Sequence, residues 1–202
     1  QKDEEFEFAQ GRFAERIKKT FPVYKKLLPD GFPLSIIHAP IHQYWKGEFN
    51  WPVVQHGQGM IAINEVEDGY EWESSYKPTV EKTLGILFES YENNPKYERL
   101  KLQYIDAWDI DNISPYDFVE ENLLTSIQTK YNKNGVAKDF NLFQSYELED
   151  KSNLLVNISS GINNKTLCKS VVLSTTVEKY GKFSPKEIFE WIEFAHTVCS
   201  DT

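Results

Sequence analysis

Two amphipathic helical runs, each lying behind a group of strand-like segments, constrain this chain more than any other feature. The first spans 77–91, where Val80, Leu84, Leu87, Phe88 and Tyr91 recur at helical spacing and Pro78 stands in the opening turn. The second spans 184–199, with Ile188, Trp191, Ile192, Ala195 and Val198 or Cys199 as its stripe. Stripes of this kind need an apolar surface to cover. Ser184 and Glu187 form a capping box, which fixes where the second helix begins.

The segments ahead of each helix supply that surface. Residues 5–8 alternate like a short strand. Ala9, Phe13, Ile17, Phe21, Tyr24 and Leu28 then predict a helix over 9–28, kinked or restarted at Pro22 and stopped at 29–31. Three strand-like runs follow. One lies within 33–54 and is interrupted by Pro40 and Pro52, which predicts an irregular or edge strand. The others lie at 59–66 and 70–74, with a hairpin turn at Glu67, Asp68 and Gly69. The clearest strand is 100–110, with Leu100, Leu102 and Tyr104 on one face. Ser114 and Pro115 open a helix to about 127, residues 132–135 form a loop, and strands are expected near 136–149, 152–160 and 166–178.

The order therefore reads strand, helix, three strands, helix, twice over. It predicts a single α+β domain over 1–202 with two structural repeats, 1–98 and 99–202. Their strands are expected to join in one antiparallel sheet of six or more, with the helices on one face.

Composition bounds the function. The net charge is −9, and no basic surface is dense enough to hold nucleic acid by its phosphates. Lys18, Lys19, Lys25 and Lys26 read as a solvated helix face balanced by Asp3, Glu4, Glu5 and Glu7. No apolar run has the ~20 residues that a membrane span needs. The charged start Lys2, Asp3, Glu4, Glu5 is unlike a secretory leader, so a cytoplasmic location is expected. Cys168 and Cys199 lie far apart and are expected as buried free thiols, with neither a disulfide nor a zinc site.

No residue pattern points to catalysis, a metal or a cofactor. His38 and His42 flank Pro40, so they cannot share a helix face as zinc ligands. The glycines at 57 and 59 lack the following helix that a phosphate cradle requires, and a loop between strands is the stronger reading. Asp106, Asp109 and Asp111 lie at the end of the central strand without a third ligand or a basic partner, which reads as a strand running out into solvent. His196 reads as a hydrogen-bonded histidine at the core edge rather than a base. An aromatic cluster is left: Tyr44, Trp45, Phe49, Trp51, Tyr70 and Trp72. It is either core or a surface for a partner or an apolar ligand. Trp45, Trp51, Tyr70 and Trp72 are the candidates for binding.

Several segments together resemble a known family. They are the run Gly59, Met60, Ile61, Ala62, Ile63, Asn64 through Tyr70, Glu71 and Trp72; the helix start Ser75, Tyr76, Lys77, Pro78, Thr79, Val80; Leu102 to Asp106; and Trp191 to His196. The chain resembles a sporadically distributed prokaryotic family of uncharacterised proteins over most of its length. That family pairs alternating strands with a helix starting near Tyr-Pro, a strand near Tyr-Ile-Asn/Asp, and a late Ala-His helix. In this chain Lys77 stands between Tyr76 and Pro78. The resemblance implies no activity and no catalytic residue. The patchy distribution implies mobile or defence-associated genes.

The leading expectation is a non-catalytic protein-binding module in a prokaryotic defence or conflict system. The rival is a small-molecule binder or enzyme with a pocket between sheet and helices. An acidic decoy for a nucleic-acid-binding protein ranks last, because the carboxylates are scattered through every element. The sequence leaves the oligomeric state open.

Overall fold

The computed structural model describes residues 5–28, 39–48, 50–66, 71–93, 96–123, 125–126 and 139–202. The expected stop at 29–31, the hairpin at 67–69, the loop at 132–135, and His38, Phe49 and Tyr70 lie outside the described residues. The chain is α+β, with two compact units, Gln1–Pro95 and Lys96–Thr202. Among the described residues the strands form two four-stranded antiparallel sheets, not the one larger sheet expected. No helix among them is long and apolar enough to cross a membrane.

The first unit opens with helix α1 (Phe6–Ile17). Phe6, Ala9, Phe13 and Ile17 recur at helical spacing and are all buried. This stripe overrides the alternation at 5–8 that suggested a strand, and it leaves Phe8 73% exposed. The helix also ends far short of residue 28. The Phe21 amide still donates to the Ile17 carbonyl at 2.9 Å. Pro22 has no N–H with which to continue the ladder. The chain turns instead into strand β1 (Val23–Lys26).

Strands β2 (His42–Gly47), β3 (Asn50–Gly57) and β4 (Met60–Asn64) follow, and the sheet runs β1-β2-β3-β4. The irregular strand expected within 33–54 is thus largely a hairpin, and β3 is interior rather than at an edge. Pro52 is tolerated there for a local reason. It faces the break in register between Trp45 and Gly47 on one side. On the other it lies beyond the Val53–Asn64 pair that ends β4. A missing N–H at that place interrupts no regular ladder. At the other end of β3, Gly57 pairs with Met60 and Gly59 takes a φ of +72°, so the glycines make a tight hairpin.

From Trp72 onward the segment expected as a third strand is helical. A single π-helical turn, Trp72–Tyr76, runs into α2 (Lys77–Ser90). The Ser75 hydroxyl donates to the Glu71 carbonyl at 2.7 Å and accepts from the Glu71 amide at 3.0 Å. That local closure outweighs the strand preference of the aromatic residues. The Tyr76 hydroxyl donates to the Ile63 carbonyl at 2.6 Å, occupying an acceptor on edge strand β4. Two arginines of α1 serve the far end of α2. Arg12 donates to the Ser90 carbonyl at 2.6 Å and Arg16 to the Glu89 carbonyl at 2.6 Å. Cations at a helix C-terminus satisfy its last carbonyls and oppose its dipole.

Among the described residues the second unit has the expected order of one strand, one helix, three strands and one helix. These are β5 (Tyr97–Ile110), α3 (Pro115–Asn122), β6 (Asn141–Glu147), β7 (Asn153–Ile162), β8 (Lys169–Phe183) and α4 (Pro185–Asp201). The sheet runs β5-β8-β7-β6, so the first strand pairs with the last. Among the described residues the first unit instead runs helix, four strands, helix, in a simple meander. The expected caps are in place. Ser114 accepts from the Asp117 amide, and Ser184 with Glu187 makes a full capping box.

Both helices of this unit cover one sheet face. Tyr104 meets His196 of α4, and Trp108 meets Phe118 of α3 at a ring separation of 5.8 Å. Tyr104 and Trp108 are an even number of residues apart on β5 and so share a face. Ile110, Val119, Ile158 and Val171 form the buried centre beneath α3. Leu100 is buried as expected, while Leu102 and Tyr104 are half-buried. Among the described residues the opposite face carries no helix of this unit and presents Arg99, Lys101, Gln103, Ile105, Ala107 and Asp109 from β5, all exposed.

Candidate docking site

The first sheet sorts its side chains by strand periodicity. His42 and Tyr44 on β2 and His56 on β3 face α1. Phe6 meets both histidines, and Phe13 meets Tyr44 and His56. Tyr44 is fully buried, and Gln10 donates to its hydroxyl at 3.1 Å. Burial pushes the Tyr44 hydroxyl up to about 12, against the Gln10 bond. Tyr44 is therefore core.

The neighbouring residues on each strand point the other way. There, Trp45 of β2 and Trp51 of β3 meet edge to face, with ring centres 5.1 Å apart and planes at 66°. Both are half-buried. The Trp45 indole N–H donates to the Gln43 side chain at 3.3 Å. Gln55 accepts from Asn64 at 3.2 Å on the same side of the sheet. Val53, the cross-strand neighbour of Trp45, is buried. The result is a small aromatic platform bordered by amides. Hairpin β2–β3 brings the two rings together, and the sequence signal for that was the spacing of six residues about a turn.

The other candidates are placed differently. Trp72 is buried at 8% exposure and packs on Tyr76 one helical turn later, with ring centres 5.7 Å apart. It belongs to the interior of the first unit rather than to the platform. Tyr70 lies outside the described residues.

The polar candidates have structural partners. His42 and His56 are direct cross-strand neighbours, which sequence reasoning missed because it depends on the β2–β3 register. Tyr24 bonds His42 Nδ1 at 2.9 Å. Burial lowers the His42 pKa, with Lys26 adding to the effect. His56 is 2% exposed, and burial, aided by His42, drives it down to about 3. Asp109 accepts from Asn163 at 3.0 Å and from Thr166 at 2.8 Å, so it clamps the turn before β8 rather than running free into solvent. Tyr104 bonds His196 Nδ1 at 2.6 Å, as suits a histidine at the core edge. Cys199 is buried and its thiol is pushed up to about 11 by burial. Cys168 is half-buried instead of buried, because it sits in the turn ahead of β8.

Among the described residues, no group of three or more His, Cys, Asp or Glu could hold a metal ion. A shallow depression of about 530 Å³ lies beside Ile110, Asp111, Ser114, Leu167, Cys168 and Lys169. Leu167 on its rim is 80% exposed, so the depression opens to solvent and does not enclose a ligand. Comparison with protein-family models, with curated proteins and with solved structures finds no match to this chain.

Proposed function

We propose that this protein is a non-catalytic module that docks a protein partner, using the face of its first sheet turned away from α1, around Trp45 and Trp51. The observation that carries this reading is the edge-to-face pair of half-buried indoles, bordered by the amides of Gln43, Gln55 and Asn64. Large rings held rigid by a sheet lose little conformational freedom on binding, and Trp is the residue type most enriched at interface hot spots. The amide rim suits hydrogen bonding to a partner's backbone. The diffuse charge of −9 acts on encounter rate more than on affinity. A prokaryotic defence or conflict system is the setting we propose, on the strength of the family resemblance alone.

The test begins with a partner captured from the native host, identified and then purified. Trp45→Ala and Trp51→Ala are expected to weaken its binding by about 2 kcal/mol or more each, roughly thirtyfold, while thermal stability changes little. Unchanged affinity in both variants, or loss of folding in both, defeats the reading.

A further inference from the structure

The outer strand of the second sheet carries a charge order that fits its own copy. β5 is an edge strand of 14 residues, paired only with β8 among the described strands. A long exposed edge is a template for another strand unless something blunts it. Natural edges are blunted by scattered like charges, by proline or by a bulge. β5 has no proline, and its one register irregularity lies at its start, between Tyr97 and Arg99. Its cations and most of its carboxylates lie apart. Arg99 and Lys101 stand in the first half, with Glu98 beside them, and Asp106, Asp109 and Asp111 lie toward or just past its end. Between them stands Ile105, 64% exposed on the face that carries no described helix of this unit.

We propose that two copies of this chain associate through β5, antiparallel and edge to edge, with Ile105 opposite Ile105 of the second copy. Antiparallel pairing about a two-fold axis sets residues of one face against residues of the same face. With Ile105 on the axis, Gln103 lies opposite Ala107, Lys101 opposite Asp109 and Arg99 opposite Asp111. On the helix-bearing face Leu102 lies opposite Trp108 and Leu100 opposite Ile110. From Arg99 with Asp111 inward, every pair then joins opposite charges or apolar groups, except Gln103 with Ala107, which is neutral, and Tyr104 with Asp106, a hydroxyl beside a carboxylate; Arg99 also keeps its ion pair with Glu178 of β8 at 2.7 Å. Cross-strand pairs of these kinds stabilise a sheet, whereas like charges facing each other oppose it. Two four-stranded sheets become one of eight strands, and the exposed isoleucines cover each other. This association uses the second unit and is independent of the tryptophan platform on the first.

Sedimentation of the full chain across concentration tests it. The expected result is a monomer–dimer equilibrium within the micromolar range. Ile105→Lys sets two like charges on the axis and is expected to abolish the dimer, with the circular dichroism spectrum unchanged. Lys101→Glu provides a second variant in case the first misfolds, since it faces Asp109 with a like charge twice in each dimer. The register has its own readout. In a Cys168→Ser background, Ile105→Cys is expected to form an intermolecular disulfide at least tenfold faster than Gln103→Cys, because only position 105 meets itself. A chain that stays monomeric at every concentration overturns the proposal. So does a dimer that survives both charge variants, or faster cross-linking at 103 than at 105.

Discussion

His42 and His56 stand directly opposite each other on β2 and β3 and face the same helix, yet only His56 is sealed from water. Phe6 and Phe13 close over it at ring separations of 5.2 and 4.8 Å. Among the described residues its Nδ1 atom has no hydrogen-bond partner. The imidazole is therefore held neutral by burial first, and by His42, itself beside Lys26, second.

A definite acid sensitivity follows. The folded pKa of His56 is about 3, below its ordinary value of 6.5. The unfolded chain then binds the extra proton first. The stability contributed is complete above about 6.5 and is lost as pH falls toward 3, at about 1.4 kcal/mol per unit for this one group. His42 is shifted in the same direction and adds to the loss. Urea denaturation at pH 7 and pH 4.5 should show a fall of about 2–3 kcal/mol that His56→Leu largely removes. An equal fall in the variant would assign the acid sensitivity to other groups.

Trp191 and Ser152 couple α4 to the turn before β7. The buried indole N–H donates to the Ser152 hydroxyl at 3.0 Å, and Ser152 in turn donates to Asp150, which pairs with Lys179. Ser152→Ala strands a buried donor and should cost about 1–3 kcal/mol. In a Trp191→Phe background, where no donor is left to strand, the same change should cost far less. Chemical denaturation of the four proteins of this cycle measures the difference.

Three glycines should respond in opposite directions to alanine. A Cβ at Gly57 would collide with the Ala39 carbonyl, which is backbone and cannot turn aside. Gly11 and Gly85 lie inside α1 and α2, and a Cβ at either meets nothing within 4 Å. Gly11→Ala and Gly85→Ala should each stabilise by about 0.5–1 kcal/mol, the usual helix preference. Gly57→Ala should destabilise. Melting temperatures of the three variants decide the matter.

Core truncations should follow burial rather than the face of β5 alone. Ile158 is buried with Val119 and Val171, and Ile158→Ala should cost about 2–5 kcal/mol. Leu102 is on the helix-bearing face but only half-buried, so Leu102→Ala should cost less than Ile158→Ala. A reversed order in denaturation would mean that the centre beneath α3 is not where this unit draws its stability.

What could be read from the sequence was local. The Ser184–Glu187 box, the Ser114 cap, the helix that begins near Pro78 and the strand at 100–110 are each fixed by residues within a few positions of one another, and each is present. The errors arose where two periods competed or where a distant partner decided. Phe6 and Phe8 fit a strand until Ala9, Phe13 and Ile17 extend the helical stripe back to Phe6. Tyr24 continued that stripe on paper, but the gap at Pro22 releases it to pair with Tyr44. Trp72 lay beside strand-forming residues, and the Ser75 hydroxyl turned the segment into helix. The candidate site was legible to the extent that Trp45 and Trp51 flank a turn. The separation of Tyr44 and Trp72 into the interior was not, because it depends on which face α1 covers.

The sheet orders have a consequence for synthesis on the ribosome. In the first unit each strand finds its partner immediately before or after it in the chain, so pairing can keep pace with elongation. In the second, β5 pairs with β8, from Tyr97 with Phe183 to Ile110 with Lys169. The longest edge strand among the described residues of this unit therefore emerges ahead of the others and waits for its partner until β8 is made. Non-local pairing of this kind is slow, and a strand kept waiting is open to wrong partners. The nascent chain is therefore most vulnerable between the emergence of Tyr97 and that of Phe183.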